Sequence, residues 1–224
     1  MKKKILITGS SYGVGKELTL QFLKLGWQVY GIARSDNSFK KYLNYTHLKV
    51  DISSFENTKK IIDSLNVKFD VLVNNASVFK SSKVNQISDE MINNIIDTNL
   101  KGTIFLTKYM IKKMKIDSRI IFINSVAGLS YINNQSIYAA TKHGIKAFAK
   151  VLAEELRFKK IKISSIHPGG INTTLWNKTN PYIGGDIKDL LKPIDIFNLV
   201  HFIVNSRKNI EIPSITIFPD NEFH

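Results

Sequence analysis

Short β-branched runs alternate along the whole chain with longer stretches of helical period, and this alternation limits the fold more than any other feature. Strands are predicted over residues 4–8, 28–33, 47–50, 71–74, 119–124, 162–167 and 214–218. Between them, Leu18, Phe22 and Leu25 share one helical face, Ile61, Ile62 and Leu65 a second, and Ile92, Ile95, Ile96 and Leu100 a third. Further helices fit residues 103–113, 137–156 and 194–205. Apolar strands spaced by helices imply a parallel sheet covered on both faces. With right-handed crossovers the result is an α/β, doubly wound sheet of about seven strands. The one long irregular stretch, 172–192, carries Asn180-Pro181 and Gly184-Gly185 and is expected to be a mobile loop.

A chain of 224 residues holds one sizeable core, and 43% apolar with 22% charged residues is ordinary for a soluble domain, so a single domain over 1–224 is expected. The absence of cysteine excludes a disulfide framework, a Cys-ligated zinc site and thiol catalysis. Met1-Lys2-Lys3-Lys4 opens like a secretory signal, but the apolar run Ile5-Leu6-Ile7 is far too short for one. No run reaches the length of a membrane span, so no membrane partner and a cytoplasmic location are expected. The net charge of +14 raises the question of nucleic acid. Its lysines, such as Lys40 and Lys41, Lys112 and Lys113, and Lys159 and Lys160, fall at the ends of different elements, which speaks for solvated faces and against a nucleic-acid partner.

Ile5-Leu6-Ile7-Thr8 runs straight into Gly9-Ser10-Ser11-Tyr12-Gly13-Val14-Gly15, and Lys16-Glu17-Leu18 opens a helix. A strand, a glycine turn and a helix start present free backbone N–H groups and the positive end of a dipole, which together hold a pyrophosphate. Gly9 permits the tight turn, Gly13 the approach of phosphate, and Gly15 the packing of helix on strand. The spacing is T-G-x-x-x-G-x-G, which resembles the single-domain short-chain dehydrogenase/reductase family. The resemblance runs from Lys4 to about Phe218. It implies a Rossmann-type fold and a nicotinamide dinucleotide held by Gly9, Ser11, Tyr12, Gly13, Val14 and Gly15. It also places Asp51 and the Ile52 amide against the adenine ring. Asn74-Asn75-Ala76-Ser77 resembles the family's Asn-Asn-Ala-Gly turn, with Asn75 and Ala76 lining the cofactor; Ser77 replaces the glycine and narrows the turn.

Ser125 closes the fifth strand, and Tyr138 and Lys142 stand four residues apart on one face of a long helix. Carbonyl reduction by hydride needs a proton donor at the oxygen, whereas a free tyrosine, with pKa near ~10, is a poor base for the reverse. A nearby ammonium, aided by the oxidised nicotinamide ring, favours phenolate and should pull that pKa down. Tyr138 is therefore the candidate acid/base, Lys142 its activator, and Ser125 the stabiliser of charge on the substrate oxygen. By resemblance Lys142 also grips the nicotinamide ribose, and Asn99 is the fourth catalytic residue, holding a water that links Lys142 to solvent.

His167-Pro168-Gly169-Gly170-Ile171-Asn172-Thr173 matches the family's Pro-Gly turn. Pro168 and Gly169 then border the cofactor, the Ile171 backbone holds the carboxamide, and Thr173 hydrogen-bonds it. His167, without a partner His, is read as structural, and no metal is expected. Leu175, Trp176 and Tyr182 belong to a substrate lid within 172–192, with Leu129, Tyr131 and Phe79 as candidate pocket walls. The ending Phe218-Pro219-Asp220 is more like the serine and 3-hydroxy-acid dehydrogenase branch, though sugar, steroid-like and acyl-carrier ketones stay open. The family commonly forms dimers or tetramers through two long helices and the last strand. The alternative to an enzyme acting on a small carbonyl or alcohol is a cofactor-sensing protein of the same fold without chemistry, against which Ser125, Tyr138 and Lys142 stand.

The end of the second strand, Ile32-Ala33-Arg34-Ser35, decides between cofactors. An NAD-selective site places a carboxylate there to hold the ribose 2′-hydroxyl; Ala33 stands at that position and Arg34 follows. A guanidinium pairs with a 2′-phosphate, and Ser35 with Ser10 or Ser11 adds neutral donors. Asp36 turned inward would oppose this. NADP(H) is expected over NAD(H).

Overall fold

Ile5 and Ile7 on one side of strand β1 (Lys4–Thr8) and Leu6 on the other are all fully buried, as side-to-side alternation requires of a strand covered on both faces. A computed structural model describes residues 2–176 and 186–220. In it β1 joins β2 (Gln28–Ala33), β3 (Tyr45–Lys49), β4 (Phe69–Asn74), β5 (Met114–Ile123), β6 (Lys162–Pro168) and β7 (Ser214–Ile217) in one parallel sheet of order β3-β2-β1-β4-β5-β6-β7. The helices are α1 (Gly13–Lys24), α2 (Phe55–Ser64), α3 (Asp89–Ile96), α4 (Thr103–Ile111), α5 (Ser136–Leu156) and α6 (Pro193–Asn205). This is the doubly wound, Rossmann-type architecture expected from the alternation.

The core has two halves separated by the sheet. Leu18 and Phe22 of α1 and Ile196, Val200 and Ile203 of α6 pack with Ile5, Ile7, Val73, Ile121 and Ile166. On the other face Ile62, Leu106, Met110, Ile145 and Leu152 pack with Leu6, Leu72, Ile120 and Phe122. The strand order reverses between β1 and β4, which opens a crevice at the carboxyl ends of the strands.

Most element ends fall within two residues of the sequence expectation, and two larger differences stand out. β5 starts five residues before Arg119, because Met114 pairs with Phe69 while Arg119 pairs with Val71, and the surplus residues loop out of the ladder. Asp117 in that loop adopts φ 61°, Lys115 pairs with Asp70 at 2.8 Å and Lys208 with Asp117 at 3.0 Å. The expected helical face through Leu100 is broken: a π turn over Asp97–Gly102 intervenes between α3 and α4. A single helical period does not reveal such a widened turn.

Of the expected lid, the structure describes only the two ends. Ile171 bridges Leu191, the Asn172 amide donates to the Leu191 carbonyl at 2.7 Å, and Ile187–Asp189 forms a 3₁₀ turn. Asn180-Pro181, Tyr182 and Gly184-Gly185 lie outside the described residues. No helix among the described residues is long and apolar enough to cross a membrane.

Candidate active site

A cavity of about 930 Å³ runs across the carboxyl ends of β1, β2, β4, β5 and β6. Its floor is the glycine turn after β1. Gly9, at φ 69°, donates its amide to the Ile32 carbonyl at 2.9 Å, which folds the turn against β2. At Gly15 a Cβ would lie 2.1 Å from the Gly9 carbonyl oxygen, so only glycine lets α1 approach the turn this closely. No side chain caps the start of α1 and its first turn carries no acidic residue. The first-turn amides of α1 are thus uncapped by side chains where Gly13 and Val14 line the cavity, and with the helix dipole behind them they suit an anion. The turn, the dipole and the length of the cavity fit a dinucleotide. Gly9, Ser11, Tyr12, Gly13 and Val14 line it, while Gly15 packs behind.

The wall next to the turn is clamped. Thr8 Oγ1 accepts from the amides of both Asn75 and Ala76 at 2.9 Å, and Asn75 Nδ2 donates to the Thr8 carbonyl at 2.9 Å. One step further on, the Val78 amide donates to Asn99 Oδ1 at 2.7 Å and Asn99 Nδ2 donates to the Val78 carbonyl at 2.8 Å. Asn99 Nδ2 also reaches Thr141 Oγ1 at 3.4 Å, and Thr141 Oγ1 donates to the Tyr138 carbonyl at 2.7 Å. Asn99 is buried and does not line the cavity; its side chain ties the segment after β4 to α5 beside Tyr138.

Ser125, Tyr138 and Lys142 all line the other side of the cavity. Ser125 Oγ accepts from the Ala127 amide at 3.1 Å, and His167 Nδ1 donates to the Ser125 carbonyl at 3.2 Å, which gives His167 its structural role. Lys142 is buried, with Nζ 3.3 Å from the Ile123 carbonyl it donates to and 5.4 Å from the centre of the Tyr138 ring. The Tyr138 hydroxyl has the hydroxyls of Ser125 and Ser77 as hydrogen-bond partners. Burial pushes Tyr138 up to about 12, only partly opposed by those two bonds. Burial likewise pushes Lys142 down to about 8. In the cofactor-free chain desolvation sets the direction of both shifts, since it disfavours each charged form. At neutral pH Tyr138 is a phenol, the form that donates.

At the far end, Arg34, Ser35, Asp51 and Ile52 line the cavity. Arg34 stands 3.5 Å from Asp51, and Ser11 Oγ donates to the Ser35 carbonyl at 3.1 Å. Asp51 also accepts from the Ser53 amide and hydroxyl. Asp36 is held by Lys40 at 3.0 Å, lies 3.7 Å from His47, and does not line the cavity. Beyond Tyr138, Pro168, Gly169, Ile171 and Thr173 complete the wall that the Pro-Gly turn was expected to supply.

The profile of the short chain dehydrogenase family matches residues 3–183. The chain belongs to this family of oxidoreductases. The chain is 29% identical to a farnesol dehydrogenase of Aedes aegypti over 98% of its own length and 97% of the relative. It is 31% identical to the 3-oxoacyl-[acyl-carrier-protein] reductase FabG of Rickettsia bellii over 91% of its length and 90% of that protein's. Among solved structures it superposes on ElxO with NADP bound at TM-score 0.83, with 26% identity and 99% of each chain covered. It superposes on Escherichia coli serine dehydrogenase at TM-score 0.85, with 22% identity and 99% and 100% coverage; that likeness is one of fold.

Sequence reasoning missed two features of this site. Ser77 was noted only as a departure that narrows the turn, yet its hydroxyl reaches the Tyr138 hydroxyl; a polar side chain where the family has none was the available signal. Thr8, Val78 and Thr141 were not singled out, because their roles depend on contacts between β1, the segment after β4 and α5 that no local pattern shows. Of the expected walls, Phe79, Leu175 and Trp176 line the cavity. Leu129 and Tyr131 do not; Tyr131 is exposed and stacks on His143 at 5.4 Å.

Proposed function

We propose that the chain is an NADP(H)-dependent oxidoreductase that moves a hydride between nicotinamide and a carbonyl or secondary alcohol. The carrying observation is the convergence of Ser125, Tyr138 and Lys142 on one wall of a cavity whose other end is Arg34. When bound, the nicotinamide supplies or takes the hydride. Tyr138 gives its hydroxyl proton to the substrate oxygen in reduction and takes one back in oxidation. Ser125, held at both its amide-facing oxygen and its carbonyl, donates to the same oxygen and stabilises charge developing there. Lys142 steadies the phenolate that Tyr138 becomes and binds the nicotinamide ribose. A hydrogen bond from Ser77 favours the phenolate as that from Ser125 does. Asn99 ties the segment after β4 at Val78 to α5 beside Tyr138, and its part in a proton relay rests on the family resemblance.

Gly9, Ser11, Tyr12, Gly13, Val14 and Gly15 bind the pyrophosphate and its riboses. Asp51 and Ile52 contact adenine, and Asn75, Ala76, Pro168, Gly169, Ile171 and Thr173 line the nicotinamide half. Arg34 with Ser35 takes the 2′-phosphate, supported by Asp36 facing Lys40 and away from the cavity. We read the chain as one cofactor-binding domain with a lid within 172–192, assembled as a homodimer or homotetramer and cytoplasmic. The test is a fluorescence titration with NADPH and a carbonyl panel on wild type and Tyr138→Phe. The expected result is unchanged cofactor affinity with turnover reduced ~10²-fold or more. Retention of above about a tenth of wild-type kcat would remove Tyr138 as acid/base.

A further inference from the structure

Ser10 belongs to the glycine turn but is fully buried and does not line the cofactor cavity. Its hydroxyl donates to the Ile32 carbonyl at 3.4 Å, the same carbonyl that accepts from the Gly9 amide. The free lone pairs of Ser10 Oγ face the Tyr45 hydroxyl, 3.4 Å away. Tyr45 stands on β3, across β2 from the turn. The two hydroxyls meet because Gly31 of β2 has no side chain: a Cβ there would collide with the Tyr45 oxygen and lie 2.6 Å from Ser10 Oγ. The Tyr45 oxygen in turn accepts from Asn37 Nδ2 at 2.7 Å. Donors and acceptors therefore run one way, from Asn37 through Tyr45 and Ser10 to Ile32, and join the loop after β2 to the turn after β1.

Asn37 ends the stretch that begins at Arg34. Within it the Ser35 carbonyl accepts from the Ser11 hydroxyl at 3.1 Å, so the stretch is pinned to the glycine turn at two points. The orientation of the Asn37 amide is fixed, because its Oδ1 accepts from the Phe39 amide at 3.1 Å and caps the 3₁₀ turn Ser38–Lys41. Nδ2 also lies 3.4 Å from His47 Nδ1, which makes that ring nitrogen an acceptor and leaves the proton on Nε2. His47 Nε2 is buried without a hydrogen-bond partner among the described residues, 3.7 Å from Asp36 Oδ1. Burial holds His47 below the ordinary histidine range, only partly opposed by Asp36, so the ring is neutral at pH 7. Its N–H and the Lys40 ammonium both attract the Asp36 carboxylate, which does not line the cavity.

An exposed guanidinium reaches a ligand only from where its backbone holds it, and the Arg34 backbone is held by this stretch. We infer that Asn37 and Tyr45, with His47 beside them, are positioning residues for the choice of cofactor: they fix residues 34–37 so that Arg34 is presented to the adenine ribose and Asp36 is kept from it. Both consequences favour a 2′-phosphate over a 2′-hydroxyl, and a stretch fixed beforehand loses less freedom when the cofactor binds. The inference rests on the NADP(H) reading above.

The experiment compares Kd for NADPH and for NADH, by fluorescence titration of the full chain without substrate. Tyr45→Phe removes one hydroxyl and keeps the ring that packs against Phe39 and His47. The expected result is a preference for NADPH reduced by about 3–10-fold, the effect of one neutral hydrogen bond. Asn37→Ser keeps a cap for the 3₁₀ turn, loses the donor to Tyr45, and should act alike. The double variant should lose no more than either single one, as two members of one chain require. His47→Phe should lower the preference in wild type and leave it unmoved in an Asp36→Ala background. Hydrogen exchange of residues 34–39 in the cofactor-free chain should quicken in Tyr45→Phe and Asn37→Ser while the sheet stays protected, which also shows that both variants fold. A preference for NADPH that falls in Arg34→Ala but holds in Tyr45→Phe would overturn the inference alone. Equal weakening of both cofactors, or losses that add in the double variant, would overturn it too. A wild-type chain that binds NADH as tightly as NADPH would remove the NADP(H) reading and the inference together.

Discussion

The two ends of the cavity are built on opposite physical terms. At the reaction end Lys142 is buried and Tyr138 half-buried, Tyr138 held protonated and Lys142 pressed toward neutrality, with Lys142 donating to the Ile123 carbonyl. At the far end Arg34 is 67% exposed and Asp51 34% exposed, paired at 3.5 Å. Charge is expensive at one end and well hydrated at the other. Chemistry needs a pKa that the surroundings set, so it is placed where desolvation is strong. Cofactor choice needs only a difference between two charges, which an exposed residue supplies without strain on the fold.

This contrast breaks most sharply at Lys142. Its ordinary value of 10.5 falls to about 8 in the folded chain, so folding disfavours its charged form. The sign follows: below pH 8 the folded state carries the whole penalty, the penalty shrinks as pH rises to 10.5, and above that it is gone. Lys142→Met should therefore stabilise the cofactor-free protein at pH 7, by on the order of 1–3 kcal/mol, with the gain fading by pH 10. The same change should lower turnover ~10²-fold or more and weaken NADPH binding. Chemical denaturation at pH 7 and pH 10 checks the first part, and a loss of stability at pH 7 would show that Lys142 has an anionic partner. Tyr138 acts with the opposite slope: it stays protonated to about 12 against an ordinary 10.0, so its contribution is lost as pH rises from 10 to 12.

A smaller effect is expected at Ser77. Its bond to Tyr138 lowers the phenol's pKa, second to that of Ser125. Ser77→Gly should move the alkaline limb of the oxidation profile to higher pH and reduce the rate at neutral pH by roughly 3–10-fold, the effect of one neutral hydrogen bond. Its melting temperature should hold, since Ser77 is exposed and lies in a turn. A pH profile that superposes on wild type would leave Ser77 as a turn residue without part in the chemistry.

How much of this was legible beforehand divides along the same line as the cavity. The sheet could be read because its strands are buried on both faces and so appear as unbroken apolar runs; β1 and β2 fall at the expected residues. Tyr138 and Lys142 could be paired because a helix fixes what stands four residues away. The surplus residues at the start of β5 could not be read, since their looping out depends on the pairing of Phe69 with Met114. Nor could the π turn at Asn99, which is set by Val78 and Thr141 from two other segments. The rise of the Tyr138 pKa in the cofactor-free chain was not legible for a related reason: proximity to a lysine is visible in spacing, whereas depth of burial is a property of the assembled site.

The least effect, and the one that sharpens the contrast most, belongs to Arg34. In a buried site a guanidinium paired with a phosphate contributes about 1.5–3 kcal/mol, but solvent at an exposed position screens part of this. Asp51, beside it, draws on the same charge and repels a phosphate. Asp36 adds little, because Lys40 holds it outside the cavity. Arg34→Ala should therefore lower the ratio of kcat/KM for NADPH to that for NADH by about 5–20-fold, leaving kcat at saturating cofactor and the melting temperature unchanged. The wild-type ratio should also shrink as salt rises from low to physiological strength, as expected of a screened surface pair, while the variant's ratio stays flat. Steady-state kinetics with both cofactors at two ionic strengths provide all four numbers. A wild-type preference for NADH, or a ratio unmoved by the substitution, would refute the role given to Arg34. A ratio that moves with no salt dependence would instead mean that bound cofactor buries this end as deeply as the other, and the two ends would then share one electrostatic character.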